Sequence, residues 1–139
     1  MGINFFSEQI EFTLNNPIEI RNWIFNVVKD RNLTPGTINY IFCDDAYLLN
    51  LNQQYLDHDT LTDIITFDYT KDNVISGDIF ISIERVTENA ESLNITFNDE
   101  LKRVIIHGIL HLCGFHDKTE KEMSQMRKME DHYLSRLNS

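Results

Sequence analysis

The sequence predicts an α+β fold, one domain in which a small mixed sheet of about four strands is packed by about five helices. Three observations carry this. Strand-like and helix-like hydrophobic periods follow one another in the order β-α-β-α-β-β-α-α-α. The length, 139 residues, suits one domain, and no repeat, linker or composition shift divides residues 1–139. Hydrophobic residues make up 42% and charged residues 24%, which is enough apolar surface for a core and argues against disorder.

The elements follow in order. Residues 3–14 alternate loosely and predict a strand. Asn16-Pro17-Ile18-Glu19 reads as a helix start, with Asn as N-cap, Pro at the first helical position and Glu able to reach back. Ile18, Ile20, Trp23, Ile24, Val27 and Val28 then recur at helical spacing and carry the helix over 17–31. Pro35-Gly36 marks a turn. Thr37 to Cys43 is rich in β-branched and aromatic residues and predicts a strand. Asp44 caps a second helix that runs to Tyr55, with Leu48, Leu51 and Leu56 inward. Thr62–Tyr69 and Asp78–Ile83 predict strands, the second with Ile79, Ile81 and Ile83 on one face, and Asp72-Asn73 turns between them. Residues 84–93 read as a helix. Asn98-Asp99-Glu100 opens a longer helix that ends near Gly114, a residue suited to a left-handed turn. Thr119 to Glu122 forms a capping box for a last helix over 120–137.

Composition also excludes classes. No apolar run approaches the roughly 20 residues of a membrane span. The first fourteen residues lack a basic start and are broken by polar side chains, unlike a signal peptide. Phe6 stands where a myristoylation signal wants Ser or Thr. The expected location is the cytoplasm. Cys43 and Cys113 are too few for a disulfide framework and lie far from CxxC spacing, so two buried thiols are expected. The net charge of −10 means that any nucleic-acid role needs a local basic surface, since phosphate binding rests on cations.

The chemistry concentrates in His107-Gly108-Ile109-Leu110-His111-Leu112-Cys113-Gly114-Phe115-His116-Asp117. Two His four residues apart project from one helix face and can share one metal ion. Gly114 ends the helix, and Asp117, three residues on, returns a carboxylate to the same ion. Two His and one carboxylate with an open position describe a catalytic zinc site, so one divalent ion, Zn2+ first, is expected on a zincin-like metal helix. On that helix the His pair is nearly the only polar stripe, and a helix apolar on almost every side is buried. His116 competes for the third place, and the spacing after Gly114 favours Asp117. His58 and His132 have no partner at ligand spacing and read as surface residues. Asp63, Thr66 and Asp78 read as strand-end hydrogen bonding, Met123, Met126 and Met129 as core filling, and Lys118 to Asp131 as a mostly solvated helix face. Zinc peptidases carry a general-base Glu after the first His, where this chain has Gly108, and this counts against proteolysis.

With these residues in view, the chain resembles the YbeY-type endoribonucleases that act in ribosomal RNA maturation. The likeness covers nearly the whole chain. It rests on His107-Gly-Ile-Leu-His111-Leu-Cys-Gly114-Phe-His-Asp117, on Leu51-Asn52-Gln-Gln-Tyr55 followed by Asp59 and Thr62-Asp63-Ile64-Ile65-Thr66-Phe67, on Gly77-Asp78-Ile79, and on Met126 and Glu130. The chain departs from the family pattern in four places. Asp117 replaces the usual third His, Leu56 replaces an Arg held to meet phosphate, Thr66 replaces Ser, and a Pro near Leu61 is missing. The resemblance implies a metal-dependent hydrolase, an endoribonuclease for ribosomal RNA 3′ ends and ribosome quality control. The ribosome and its RNA would be the partners, with neither DNA nor membrane involved. The metal would be held by His107, His111 and Asp117, and the attacking group, metal-bound water or the RNA 2′-hydroxyl, stays open. A zincin-type peptidase and a non-catalytic ribosome assembly factor with a structural metal are the rival readings. With Leu56 in place of the Arg, Lys102, Arg103, Lys118 and Lys121 become the expected phosphate contacts.

Overall fold

The computed structural model describes residues 2–55 and 62–137. Its elements are β1 (Gly2–Ser7), α1 (Pro17–Asp30), β2 (Thr34–Cys43), α2 (Asp45–Tyr55), β3 (Ile64–Asp68), β4 (Val74–Ser82), α3 (Ile83–Leu93), α4 (Phe97–Leu112) and α5 (Glu120–Leu137). The strands form one mixed sheet in the order β1-β2-β4-β3. β1, β2 and β4 run parallel, and β3 is antiparallel to β4. This is the predicted α+β architecture, with the predicted order of elements.

Several boundaries differ, each for a physical reason. β1 stops at Ser7 rather than continuing to 14. Gln9 takes a left-handed φ of 67° and turns the chain out of the sheet. Ile10, Phe12 and Leu14 still face the core, which is why their alternation imitates a strand. Asn16 precedes α1 with φ 53° and makes no side-chain cap, so Pro17 and the apolar stripe carry that helix start. Pro35-Gly36 is not a turn between elements but part of β2, at an irregularity in its register with β4. A Cβ on Gly36 would lie 2.8 Å from the Ile75 carbonyl oxygen, so the close approach of strands requires glycine there. β4 begins at Val74, four residues before the predicted start, and ends at Ser82, because Ile83 already belongs to α3. α4 is capped by Thr96, whose hydroxyl accepts from Asp99 N, rather than by Asn98. Asp44 caps the start of α2 through Tyr47 N, and Thr119 and Glu122 form the reciprocal capping box, both as predicted. The Asp72-Asn73 turn is also present, closed by Val74 N donating to Lys71 O. Leu48 is buried and Leu51 half-buried, while Leu56 lies outside the described residues.

The main core lies between one sheet face and helices α1, α4 and α5. Ile38, Tyr40, Phe42, Ile79 and Ile81 meet Ile105, Ile106 and Ile109 there. On the opposite face α2 buries Leu48 against Cys43 and Ile65. Buried polar ties fix the layers. Tyr40 OH donates to the Ile105 carbonyl at 2.8 Å, and Trp23 Nε1 donates to the Tyr133 carbonyl at 2.9 Å. Both Cys are free, with Cys43 buried and Cys113 half-buried. Among the described residues no helix is long and apolar enough to cross a membrane.

Candidate metal centre

α4 places His107 and His111 one turn apart on one face, beside the Gly108 side that packs on the sheet. Gly108 itself lies against the sheet, where a Cβ would stand 3.0 Å from Ile79 Cγ2. The helix ends in a Schellman arrangement. Phe115 N donates to Leu110 O and Gly114 N to His111 O, with Gly114 at φ 102°. The chain reverses there and brings Asp117 back over the His pair.

Three donor atoms converge. His107 Nε2 and His111 Nε2 are 2.9 Å apart, and Asp117 Oδ2 lies 3.2 and 3.4 Å from them. Donors around a tetrahedral zinc at about 2.0–2.1 Å stand about 3.3 Å apart, so the spacing suits one ion. The proton inventory points the same way. His111 Nδ1 donates to the Phe115 carbonyl, 3.0 Å away, which can only accept. His107 Nδ1 faces Glu130 Oε2 at 2.7 Å. In the neutral rings these bonds keep hydrogen on Nδ1 and leave both Nε2 lone pairs, with a carboxylate oxygen, aimed at one point. A proton on one Nε2 bridges part of this cluster, whereas a divalent cation satisfies all three lone pairs at once, so the donor set fits a metal.

Glu130 supports this geometry from α5. It is 4% exposed, accepts from Arg103 at 3.0 Å, and Arg103 also reaches Asp131. Burial opposes a charge on His107, but the hydrogen bond and charge of Glu130, then Asp117 and Asp63, raise its pKa. Burial and the neighbouring His107 lower that of His111. Removing Glu130 frees the His107 ring to turn and to change tautomer. Glu130→Ala is therefore expected to weaken metal affinity about 10–100-fold, read by competition with a chromophoric chelator. Unchanged affinity would mean that α4 alone holds the ring.

The centre opens into a cleft of about 900 Å³ between α4, α5 and β3. The three sequence-predicted donors, His107, His111 and Asp117, are brought together. His116 is exposed at the cleft rim and outside the cluster. His132 is on the surface, edge-on to Tyr133, while His58, Asp59 and Leu61 lie outside the described residues. The Asp78 carboxylate accepts from Asn39 Nδ2 at 3.1 Å, a structural bond as expected. The Asp63 main chain accepts from Ser82 N, but its side chain lines the cleft, where burial raises its pKa. Thr66 also lines the cleft. Met126 is buried and Met129 packs on the core, whereas Met123 is 50% exposed and lines the cleft instead. Of the four expected phosphate contacts only Arg103 and Lys118 line the cleft, and Arg103 is engaged by acids. Arg127 and the role of Glu130 were not foreseen. The signal for Glu130 was its place on the packed stripe Met126, Glu130, Tyr133 of a helix read as solvated.

Fold and site together define a class: small α+β domains in which one buried helix carries His-x-x-x-His and a glycine turn returns a third donor. The chain belongs to the endoribonuclease YbeY family, whose model matches residues 3–138. An endoribonuclease YbeY of Christiangramia forsetii is 55% identical over 133 residues, covering 96% of this chain and 92% of its own. That of Flavobacterium psychrophilum is 52% identical over 129 residues, covering 93% and 92%. A Thermotoga maritima protein solved in solution superposes with TM-score 0.64 at 27% identity, covering 98% of this chain and 91% of its own.

Proposed function

We propose that the chain is a metal-dependent endoribonuclease that cuts ribosomal RNA near its 3′ ends, in the cytoplasm and in association with the ribosome. The carrying observation is the set of three converging donors, His107, His111 and Asp117, at the floor of an open cleft, in a chain whose relatives are endoribonucleases. These three side chains would hold one divalent ion, with zinc the best match to two imidazoles and a carboxylate. When bound, the ion supplies Lewis-acid polarisation of a phosphoryl oxygen. The other roles belong to the chain. Glu130 and the Phe115 carbonyl fix the two rings. Lys118 stands in the cleft to meet phosphate. Asp63, a cleft carboxylate outside the donor set with a raised pKa, is the candidate acceptor for the proton of the attacking hydroxyl.

The test is incubation of metal-loaded protein with ribosomal RNA and, separately, with casein. The expected result is RNA cleavage that disappears in His111→Ala, with casein intact. Cleavage of casein would favour the peptidase reading, and inertness toward both would favour a structural metal.

A further inference from the structure

Glu100 is a cleft group that the metal chemistry leaves unused. It precedes His107 by seven residues, two turns or about 10 Å back along the same face of α4. The residue is 5% exposed, and its Oε1 has left water without gaining a hydrogen-bond partner among the described residues. Such a loss is costly for that oxygen, which gives up solvation without a hydrogen bond in return. Burial first, then the charge of Asp63, push its carboxyl above the ordinary range, while Arg103 and Arg127 pull it back. Glu100 stands outside the donor cluster.

The surroundings show what would satisfy it. Val104 and Met126 offer an apolar wall, Met123 stands at the rim, and exposed Arg127 lies in the same cleft. An apolar wall, a buried acceptor and a cation together match an RNA base splayed out of its strand. Guanine presents two adjacent donors, N1–H and the N2 amine, which meet both oxygens of one carboxylate. Its O6 and N7 are the acceptors that an arginine reads. The last torsion of Glu is broad and two-fold, so a small turn brings both oxygens to an entering base.

We propose that Glu100 and Arg127 form a guanine-reading pocket that selects the base beside the cleaved phosphate. The inference rests on the endoribonuclease reading, and its test separates the two. Metal-loaded full-length protein is given single-stranded RNAs in which each guanosine in turn is replaced by inosine, which lacks only the N2 amine, or by adenosine. At one position near the cut, guanosine should be favoured about tenfold over either replacement, in keeping with the discrimination of a bidentate contact. Glu100→Gln should bring the guanosine-to-inosine ratio close to one. Arg127→Ala, a surface change that keeps the test alive if the buried variant does not fold, should lower the guanosine-to-adenosine ratio. Wild-type ratios near one at every position, or ratios unchanged in both variants, would overturn the pocket. If the wild type cuts none of these RNAs, the endoribonuclease reading falls by itself. The binding of guanosine and inosine oligomers, followed by fluorescence anisotropy, then still decides on the pocket.

Discussion

A Gly108→Glu variant, which restores the glutamate of the zinc peptidase pattern, is expected to fail to fold rather than to gain proteolysis. Position 108 is buried on the side of α4 that lies on the sheet. A Cβ there meets Ile79 Cγ2 at 3.0 Å and Ile64 Cδ1 and Ile79 Cδ1 at 3.1 Å. A glutamate would place its carboxylate among these aliphatic groups with no partner. Burying an unpaired charge belongs to the small set of changes that cost more than about 4 kcal/mol, a large part of the stability of an ordinary domain. Gly108→Ala separates volume from charge. Two of the atoms it meets, Ile64 Cδ1 and Ile79 Cδ1, are side-chain ends that can shift, while Ile79 Cγ2 sits on a stiff β-branched Cβ, so overpacking should cost about 1–3 kcal/mol. Soluble yield and thermal unfolding of the two variants check both expectations. A folded Gly108→Glu protein that hydrolyses casein would show that the missing base alone separates this site from a peptidase.

The same position shows what the sequence could and could not say. Helix α4 was legible because its apolar residues cover nearly every side, leaving His107 and His111 as the polar stripe. The glycine turn to Asp117 was legible because a left-handed residue and a fixed spacing determine where the chain returns. What the sequence did not disclose depends on packing between distant segments. Glu130 meets His107 across 23 residues, and only the packing of α5 on α4 makes a charged residue of a polar helix into a buried hydrogen-bond acceptor. Arg103 carried charge of the right sign in the right place, yet Glu130 and Asp131 take it up. Gly36 looked like turn punctuation, and it permits instead the close approach of β2 to β4. Ile10, Phe12 and Leu14 kept the alternation of a strand after the backbone had left the sheet, because core burial and sheet pairing leave the same mark on a short polar–apolar pattern.

Asp117→Ala is expected to abolish metal-induced stabilisation, whereas His116→Ala should leave most of it. Asp117 Oδ2 stands within 3.4 Å of both Nε2 atoms, and His116 is exposed and outside the donor cluster. Loss of a donor should exceed the roughly 10–100-fold effect of losing an outer-shell partner. The dependence on pH distinguishes ligation from a general loss of structure. In the metal-free protein burial opposes the His107 cation, but Glu130, together with Asp117 and Asp63, outweighs burial and raises the pKa. A raised imidazole pKa stabilises the fold fully below the unfolded value of about 6.5, and that contribution is lost as pH rises through the folded value. Metal needs the neutral ring, so its stabilisation runs the opposite way, growing with pH. The wild type with zinc should therefore gain melting temperature on going from about pH 6 to about pH 8, the range in which imidazole gives up its proton. Asp117→Ala should keep the acid-side contribution of the intact His107–Glu130 pair and show no zinc-dependent rise on the alkaline side. Melting temperature measured with and without zinc across this range checks it. A zinc response lost in His116→Ala and kept in Asp117→Ala would move the third ligand to His116.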